Sequence, residues 1–504
     1  MKRLITFLFL LAGINSFAQL AKFEKMLADP LLKNASVSFY VADAVDGSVV
    51  YSHNPKTSLI PASNMKLITS AAALELLGAD YVFTTSIGYT VGLTWSISGF
   101  GSHCEISGDL IIKGGGDPAL GSDYFSSHYE DFMGQWIEAI KNAKIRKING
   151  RVITDDSHFD FDPAAPRWLW EDLGASYGAG VFGLSIFDNT RTIKARTAAD
   201  GINVELIDII PPLGEYTLAN RLKIAGTTGN WYAYTAPYST SGWLSGTIPA
   251  SNEYVMKVSI PDPPLLAAQM LSQKLEAENI IITGKPTTAR IENLTNSGDA
   301  FTVEIPITIP NSAARNYLDI HLPLIQTTSP PLKSIIEILN KESVNLYADT
   351  FVKELGKQFR RRGTMQDGTK VIMQFLGAAG VDTTGFFIED GSGLSARNAV
   401  NAEGIAKLLI YMKNNGKYFN DYLFSLPEAG KSGTLSQYFT DPVFKSNLKA
   451  KSGSMTRVRC YSGYFTSKSG KEMVFSILVN NFQGTSRNVI QHIEEILKEV
   501  ILLN

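Results

Sequence analysis

The sequence predicts a mixed α/β domain that is built from both ends of the chain and interrupted by a large, mostly β insertion. Three observations carry this prediction: an apolar helix follows a β-hairpin near the start, helices and strands alternate towards the end, and the middle consists of short β-like runs between Gly- and Pro-rich turns. We expect residues 19–90 and 311–504 to form one discontinuous α/β domain, and residues 91–310 to form the insertion, which we expect to contain two subdomains.

The first residues have the pattern of a secretory signal peptide. Lys2 and Arg3 precede an apolar run from Leu4 to Ile14, and Ser16-Phe17-Ala18 provides a small-x-small cleavage site. The run is shorter than the about 20 apolar residues of a membrane span. No Cys follows Ala18, so a lipid anchor is not indicated. We predict that residues 1–18 are removed and that the protein is periplasmic.

Composition excludes several classes of protein. The 46 basic and 48 acidic residues give a net charge of -2 without a dense basic block, which argues against a nucleic-acid partner. Cys104 and Cys460 cannot make a disulfide framework; one long-range bridge is possible, but two free buried thiols are the favoured state. The acidic segment 155–160 could ligate a cation, although a polar turn is the simpler interpretation. No metal or cofactor is expected.

At the front of the chain, residues 35–52 alternate in polarity about Asp46-Gly47 and predict a β-hairpin. The following stretch from Met65 to Leu77 is apolar almost all round, which predicts a buried helix. Gly78 is expected to end it.

At the back, residues 329–359 predict two helices that flank a short connection at 342–345. Strand patterns follow, and the final helix places its apolar side chains on one face. These side chains are Ile490, Ile493, Leu497 and Val500.

The tripeptide Lys-Ser-Gly occurs three times, starting at Lys431, Lys451 and Lys468. The Lys468 copy lies between two strand patterns and predicts a hairpin turn, and the Lys431 copy lies in a loop. The Lys451 copy lies within a strand, where Gly often marks the close approach of another backbone or a ligand. Alternation puts Lys451 and Gly453 on one side and Ser452 on the other, and an edge here could pair with a peptide substrate.

A nucleophile is supplied by Ser63-Asn64-Met65-Lys66. On a helix, Ser63 and Lys66 share a face, and the helix N-terminus favours developing negative charge at Ser63. Burial and a neighbouring cation would lower the pKa of Lys66, so that its amine could take the serine proton. A second Ser-x-x-Lys, from Ser446 to Lys449, lies in a strand where the two side chains point to opposite faces, and we reject it.

The third element is Ser343-Val344-Asn345, in the connection between the two predicted helices. Its hydroxyl could relay a proton to a leaving group, and its amide could hold Lys66 and a substrate carbonyl. The similar triplet Ser486-Arg487-Asn488 opens the last helix, where a helix cap is the better explanation.

These three motifs in this order resemble those of the penicilloyl-serine transferases, with Val344 in place of Asp and Ser452 in place of Thr. The chain most resembles the D-alanyl-D-alanine carboxypeptidase/endopeptidases, the low-molecular-mass class C penicillin-binding proteins. The matching stretches include LIPASNMKLITSAAAL, GDLIIKGGGDP, WLWEDLGASYGA, SPPLKSIIEILNKESVNLYAD, EDGSGLSARN and AKSGSM.

The resemblance implies an α/β (α+β) penicillin-binding transpeptidase or β-lactamase-like domain with its insertion after the nucleophile helix. It implies Ser63 as nucleophile, Lys66 as base, Ser343 and Asn345 as proton relay and substrate contact, and Lys451 as the anchor for a terminal carboxylate.

The resemblance also implies a binding site for the substrate. The N–H groups of Ser63 and Ser454 would form an oxyanion hole. Asp172 and Tyr177 match a pocket for the amino end of a stem-peptide side chain, and Met455 matches its wall, beside Ser452 and Gly453. The arginine of the family's Gly-Leu-Ser-Arg is displaced here to Arg397, which leaves its role open.

The expected function is therefore that of a periplasmic serine-type D-Ala-D-Ala carboxypeptidase, and of an endopeptidase if cross-links are also cut, acting on peptidoglycan stem peptides and acylated by β-lactams. The alternatives are a β-lactamase, against which the long insertion argues, and a non-catalytic peptidoglycan-binding protein, against which the intact motifs argue. The sequence leaves the oligomeric state open.

Overall fold

A computed structural model describes residues 20–90, 93–98, 101–296 and 322–504. The predicted signal peptide lies outside these residues. The described helices are α1 (Ala21–Leu27), α2 (Met65–Leu77), α3 (Ser126–Tyr129), α4 (Phe132–Asn142), α5 (Trp170–Leu173), α6 (Pro263–Ala277), α7 (Ala289–Asn296), α8 (Leu332–Glu342), α9 (Asn345–Arg360), α10 (Met365–Ala378), α11 (Ala402–Asn415), α12 (Phe419–Ser425) and α13 (Ser486–Leu503).

The described strands divide into those of the two chain ends and those between them. They are β1 (Ser36–Asp43), β2 (Val49–His53), β3 (Thr84–Tyr89), β4 (Leu93–Ser98), β5 (Gly101–Ile106), β6 (Leu110–Lys113), β7 (Ile145–Ile148), β8 (Val152–Asp155), β9 (Thr190–Thr197), β10 (Val204–Ile210), β11 (Thr217–Ile224), β12 (Asn230–Tyr234), β13 (Ser241–Ile248), β14 (Tyr254–Ser259), β15 (Ile281–Ile282), β16 (Thr287–Thr288), β17 (Leu322–Thr328), β18 (Lys449–Met455), β19 (Val458–Thr466) and β20 (Glu472–Asn480).

The two ends of the chain share one antiparallel sheet in the order β18-β19-β20-β1-β2. Residues of β1 alternate between two cores: Val37, Phe39 and Val41 pack on one side with α1 and α13, and Tyr40 and Ala42 pack on the other with α2 and α11. Both faces of the sheet are covered, and β1 and β20 are accordingly buried along almost their whole length. The predicted hairpin at 35–52 is present as β1 and β2.

Helix α2 has the predicted bounds, and Gly78 ends it with a φ of +95°. Its residues are apolar all round because it lies inside the domain, in contact with α8, α9 and β18. The predicted helix pair after residue 329 is present as α8 and α9.

The region between the two ends contains a five-stranded sheet, β16-β8-β6-β3-β17, and a four-stranded sheet, β15-β7-β5-β4. Strands β3 and β17 belong to this sheet although they lie outside the predicted limits of 91–310. Because their pairing joins them to the inserted strands, we infer domain boundaries near residues 84 and 328. The 15-residue helix α6 packs on β8, so the insertion is less purely β than its sequence indicates.

A second part of the insertion is a small β-sandwich made of the sheets β10-β9-β14 and β11-β13-β12. It has its own apolar core, which includes Ile193, Leu244 and Met256. We infer from this separate core that the insertion has two subdomains.

Several smaller predictions can be compared with the structure. Cys104 and Cys460 are free and buried. The last helix is capped by Thr485 rather than by Ser486, because the Thr485 hydroxyl accepts the N–H of Asn488. Within the described ranges no group of side chains has the composition of a metal site, and no helix is long and apolar enough to cross a membrane.

Candidate active site

The chain reaches Ser63 through a strained turn that is fixed to the central sheet. Residues Ala62–Asn64 form a 3-10 turn before α2, and buried Ala62 has a φ of +45°. The Asn64 amide donates to the hydroxyl of Ser462 on β19 over 2.8 Å. A positive φ at alanine costs about 1–3 kcal/mol and persists only where its surroundings impose it. Here the turn places the Ser63 hydroxyl next to Lys66, in the first turn of α2.

Lys66 lies one turn further on and is fully buried. Its Nζ has three oxygen partners: Ser63 Oγ at 3.0 Å, Asn345 Oδ1 at 2.6 Å and the Ser392 carbonyl at 2.8 Å. Burial lowers the pKa of Lys66 to about 8, although the nearby carboxyl groups of Asp349 and Asp390 oppose this shift. The lysine that touches the Ser63 hydroxyl therefore gives up its proton more readily than an exposed lysine does.

The connection between α8 and α9 presents two polar side chains to two lysines. Ser343 adopts a left-handed conformation, with a φ of +60°, where α8 ends, and Asn345 is the first residue of α9. Ser343 Oγ accepts a hydrogen bond from Lys451 Nζ at 3.0 Å, and Asn345 accepts one from Lys66. Lys66 and Lys451 therefore both bind the short segment Ser343–Asn345, one at each end.

Lys451 and Gly453 belong to β18, which lies at the edge of the central sheet. Lys451 is fully buried and also donates to the carbonyl of Ser452 at 3.2 Å. Burial, and then the positive charge of Lys66, hold the pKa of Lys451 well below its usual value. A Cβ on Gly453 would lie 2.3 Å from the Pro61 carbonyl oxygen, so only glycine lets the strand approach the Ser63 turn this closely.

The other two Lys-Ser-Gly copies have different surroundings. Lys431 is exposed and pairs with Glu428 at 3.0 Å, so its ammonium does not reach the site. The residue after this copy, Thr434, does lie beside the site, because its Oγ1 is 2.8 Å from Ser452 Oγ. The Lys468 copy forms the turn between β19 and β20, as predicted.

The insertion contributes Asp172 and Tyr177. The Tyr177 hydroxyl donates to Asp172 Oδ1 at 3.0 Å, and burial raises the pKa of Asp172. The main-chain carbonyl of Tyr177 accepts the amide of Asn345 at 2.8 Å. At the far end of β18, Ser454 is exposed and Met455 is half-buried. The structure thus brings the segment of Asp172 and Tyr177 against the Ser343–Asn345 turn.

Sequence reasoning missed the third partner of Lys66, the carbonyl of Ser392. It also missed Asp349, whose Oδ1 accepts the N–H groups of Gly391 at 2.7 Å and Ser392 at 3.0 Å. The signal available was the Gly-rich stretch EDGSGLSARN, which the resemblance included without a role. Arg397, at the end of that stretch, is exposed.

A serine beside a buried lysine, on a helix packed against a five-stranded sheet, defines a serine-type hydrolase with the fold of the penicillin-binding proteins. The fold resembles that of penicillin binding protein 4 (dacB) from Haemophilus influenzae, with a TM-score of 0.75 and 19% identity over 93% of this chain and 97% of the other. A structure of that protein complexed with a β-lactam gives a TM-score of 0.73, with 18% identity over 96% of this chain and 100% of the other. The predicted fold class is confirmed.

Residues 19–300 and 293–500 match the D-Ala-D-Ala carboxypeptidase 3 (S13) family. The chain is 29% identical over 483 residues to the D-alanyl-D-alanine carboxypeptidase of Actinomadura sp. (strain R39), covering 93% of this chain and 82% of that protein. It is 28% identical over 481 residues to the penicillin-sensitive carboxypeptidase A of Dictyostelium discoideum, covering 90% and 83%. The chain belongs to this family and is a serine-type carboxypeptidase.

The close approach at Gly453 gives a first prediction. Gly453→Ala should slow reaction at Ser63 by about a hundredfold, because the added methyl group pushes β18 away from the Pro61 carbonyl. The rate of labelling by a fluorescent penicillin measures this effect.

Gly377→Ala is the control, since Gly377 lies in helix α10 and an added Cβ there meets no atom within 4 Å. Equal rates for the Gly453 and Gly377 variants would show that the close approach is unimportant.

Proposed function

We propose that this protein is an exported enzyme that removes the terminal D-alanine from peptidoglycan stem peptides through an acyl-enzyme on Ser63. The observation that carries the proposal is the contact of the Ser63 hydroxyl with buried Lys66, at 3.0 Å, in a site whose second lysine lies across the Ser343–Asn345 turn. The family supplies the substrate class.

In the first step, neutral Lys66 accepts the hydroxyl proton while Ser63 Oγ attacks the carbonyl carbon of the penultimate D-alanine. A C–O bond forms, and the carbonyl oxygen becomes an oxyanion, which the N–H groups of Ser63 and Ser454 would stabilise. The lowered pKa of Lys66 favours the neutral amine that this step requires.

In the second step the C–N bond breaks and D-alanine leaves. The proton that Lys66 accepted passes to this nitrogen through Ser343, whose hydroxyl is held by Lys451 at 3.0 Å, so that Lys66 is neutral again. Water then attacks the ester while Lys66 accepts its proton. As the C–O bond to Ser63 breaks, Lys66 returns the proton to Ser63 Oγ and the shortened peptide is released.

The edge of β18 offers a place for the peptide main chain. Residues 427–429 cover the beginning of the strand, where the Ala450 N–H donates to the Pro427 carbonyl at 3.0 Å. The rest of β18 pairs with β19 alone in the described sheet, so a substrate can add beside Lys451–Met455 as a further strand. An extended peptide there could also be part of a cross-link, which would give endopeptidase activity.

A terminal carboxylate would bind beside Lys451. The negative charge would favour the ammonium form of Lys451, and the resulting repulsion would help Lys66 to lose its proton. The half-exposed pair of Asp172 and Tyr177 would contact the amino end of the substrate side chain.

The N-terminal segment supports export. Residues 1–18 have the pattern of a secretory signal peptide, and the peptidoglycan substrate lies in the periplasm.

Purified enzyme with defined muropeptides tests the proposal: D-alanine should be released from monomeric pentapeptides, and a fluorescent penicillin should label the protein stably. Rapid turnover of nitrocefin without stable label would instead indicate a β-lactamase. Failure of both labelling and D-alanine release would indicate a non-catalytic binding protein.

Ser63→Ala should abolish both D-alanine release and penicillin labelling, because no other described hydroxyl lies within hydrogen-bond distance of Lys66 Nζ. Gel fluorescence and a D-alanine assay measure the loss. Ser446→Ala changes the other Ser-x-x-Lys and should retain both activities. Residual labelling of the Ser63 variant would show that another residue is the nucleophile.

Lys451→Ala should lower kcat/KM for the peptide by about a hundredfold or more, because the carboxylate loses its cation and Ser343 loses its donor. Steady-state kinetics on a pentapeptide measure the change. The control is Lys468→Ala, which alters the same tripeptide in a surface turn. If both variants behave like the parent chain, Lys451 has no role in the reaction.

The acylation rate should fall as the pH is lowered through the pKa of Lys66, which is about 8. Below that value most of the lysine is protonated and cannot accept the Ser63 proton, so the rate should drop about tenfold per pH unit. Stopped-flow labelling with a fluorescent penicillin from pH 5 to pH 9, over about four units, gives the profile. A flat profile would exclude Lys66 as the base.

A further inference from the structure

We propose that residues 168–177 of the insertion, here called the buttress segment, position the catalytic lysine by holding two of its three oxygen partners. This inference rests on the proposed function, in which Lys66 is the base. It assigns to the insertion a part in the reaction in addition to contact with the substrate, and it makes Trp168 a positioning residue.

One end of the buttress segment reaches Lys66 through the loop of residues 390–395. The Trp168 indole Nε1 donates to Asp390 Oδ2 at 2.9 Å. The same carboxylate accepts the N–H groups of Gly393 and Ser395, each at 2.7 Å, and the amide of Asn398 at 2.8 Å. Asp390 is fully buried, so these four donors compensate for water that it has lost.

The loop that Asp390 organises carries the Ser392 carbonyl to Lys66. Asp349, on α9, accepts the N–H groups of Gly391 and Ser392, and Thr69, on α2, donates to the Gly391 carbonyl at 2.7 Å. These contacts fix the peptide unit before Ser392, and the bond from the Gly393 N–H to Asp390 fixes the unit after it. Its carbonyl oxygen is thereby held 2.8 Å from Lys66 Nζ.

The other end of the buttress segment reaches Lys66 through Asn345. The carbonyl of Tyr177 accepts the Asn345 amide at 2.8 Å, and this sets the orientation in which Asn345 Oδ1 faces Lys66 at 2.6 Å. A rotated amide would turn its NH₂ group, a donor, toward the ammonium. The Tyr177 carbonyl therefore selects the rotamer that serves the lysine.

Three charged or titratable groups face Lys66 from the elements packed around it. They are Asp349 on α9, Asp390 on the loop and Lys451 on β18. Of the four donors to Asp390, Trp168 alone comes from the insertion. When its N–H is removed, Asp349 and Thr69 still hold the Ser392 segment, so the Ser392 carbonyl keeps its contact with Lys66. The Asp390 carboxylate charge is then less compensated, which favours the protonated form of Lys66.

The test compares pH profiles of penicillin acylation for the parent chain and Trp168→Phe, measured with a fluorescent penicillin. The acid limb of the variant should move to higher pH by about half a unit, while the rate on the plateau above the limb stays near that of the parent. Trp168→Leu is measured in parallel, with thermal unfolding of each, so that the outcome does not depend on one variant folding.

Arg167→Gln is the matched control. Arg167 lies next to Trp168 and joins the same two parts of the chain through Glu389, at 2.6 Å, but it does not contact Asp390. The acid limb of the pH profile of Arg167→Gln should coincide with that of the parent chain. The inference is overturned if the limb of the Trp168 variants stays in place or moves to lower pH, if their rate falls equally at every pH, or if Arg167→Gln shifts the limb as much. If the parent chain itself is not acylated by penicillin, the proposed function is wrong, and this result is distinct from any shift of the limb.

Discussion

The site depends on keeping one lysine buried with its nitrogen satisfied. An ammonium group taken from water costs several kcal/mol unless oxygen atoms replace its hydration. Lys66 obtains three, from the turn before α2, the start of α9 and the loop of residues 390–395. The three partners are up to 326 residues from Lys66 in sequence. Because loss of any one of them would leave the buried ammonium short of a hydrogen-bond acceptor, these distant segments must pack together around Lys66.

The central sheet helps to meet that constraint because its strands bind the chain around Ser63. Both of its faces are covered by helices, and its strands hold the chain on either side of Ser63: Asn480 accepts the N–H of Ile60 at 2.8 Å before it, and Asn64 bonds to Ser462 after it. A positive φ at Ala62 can persist only because these contacts hold the flanking residues. The edge strand β18 then meets the same turn at Gly453, so Ser63 and Lys451 are both positioned by this sheet.

Sequence reasoning predicted what depends on local pattern. The hairpin, the buried helix with its terminating Gly78, the α8–α9 pair and the edge strand all follow from periodicity and turn residues within one short window. It could not predict partners that are main-chain atoms: the carbonyls of Ser392 and Tyr177 have no side-chain signature, and any residue type could supply them. The boundaries that we infer near residues 84 and 328 have a related origin, because they rest on the pairing of β3 with β17, two strands that are far apart in sequence.

The three Lys-Ser-Gly copies show how far identical residues can diverge. Lys468 lies in a surface turn, Lys431 pairs with a carboxylate at the surface, and Lys451 is buried against a second lysine. Only in the last case does the fold bring two lysines together in a region of low dielectric, where the charge of Lys66 makes Lys451 easier to deprotonate. The distinct properties of Lys66 and Lys451 come from the surroundings that α2, α9 and the insertion provide together, and the proposed role of Lys66 as base would explain why the insertion stays packed against the residues around it.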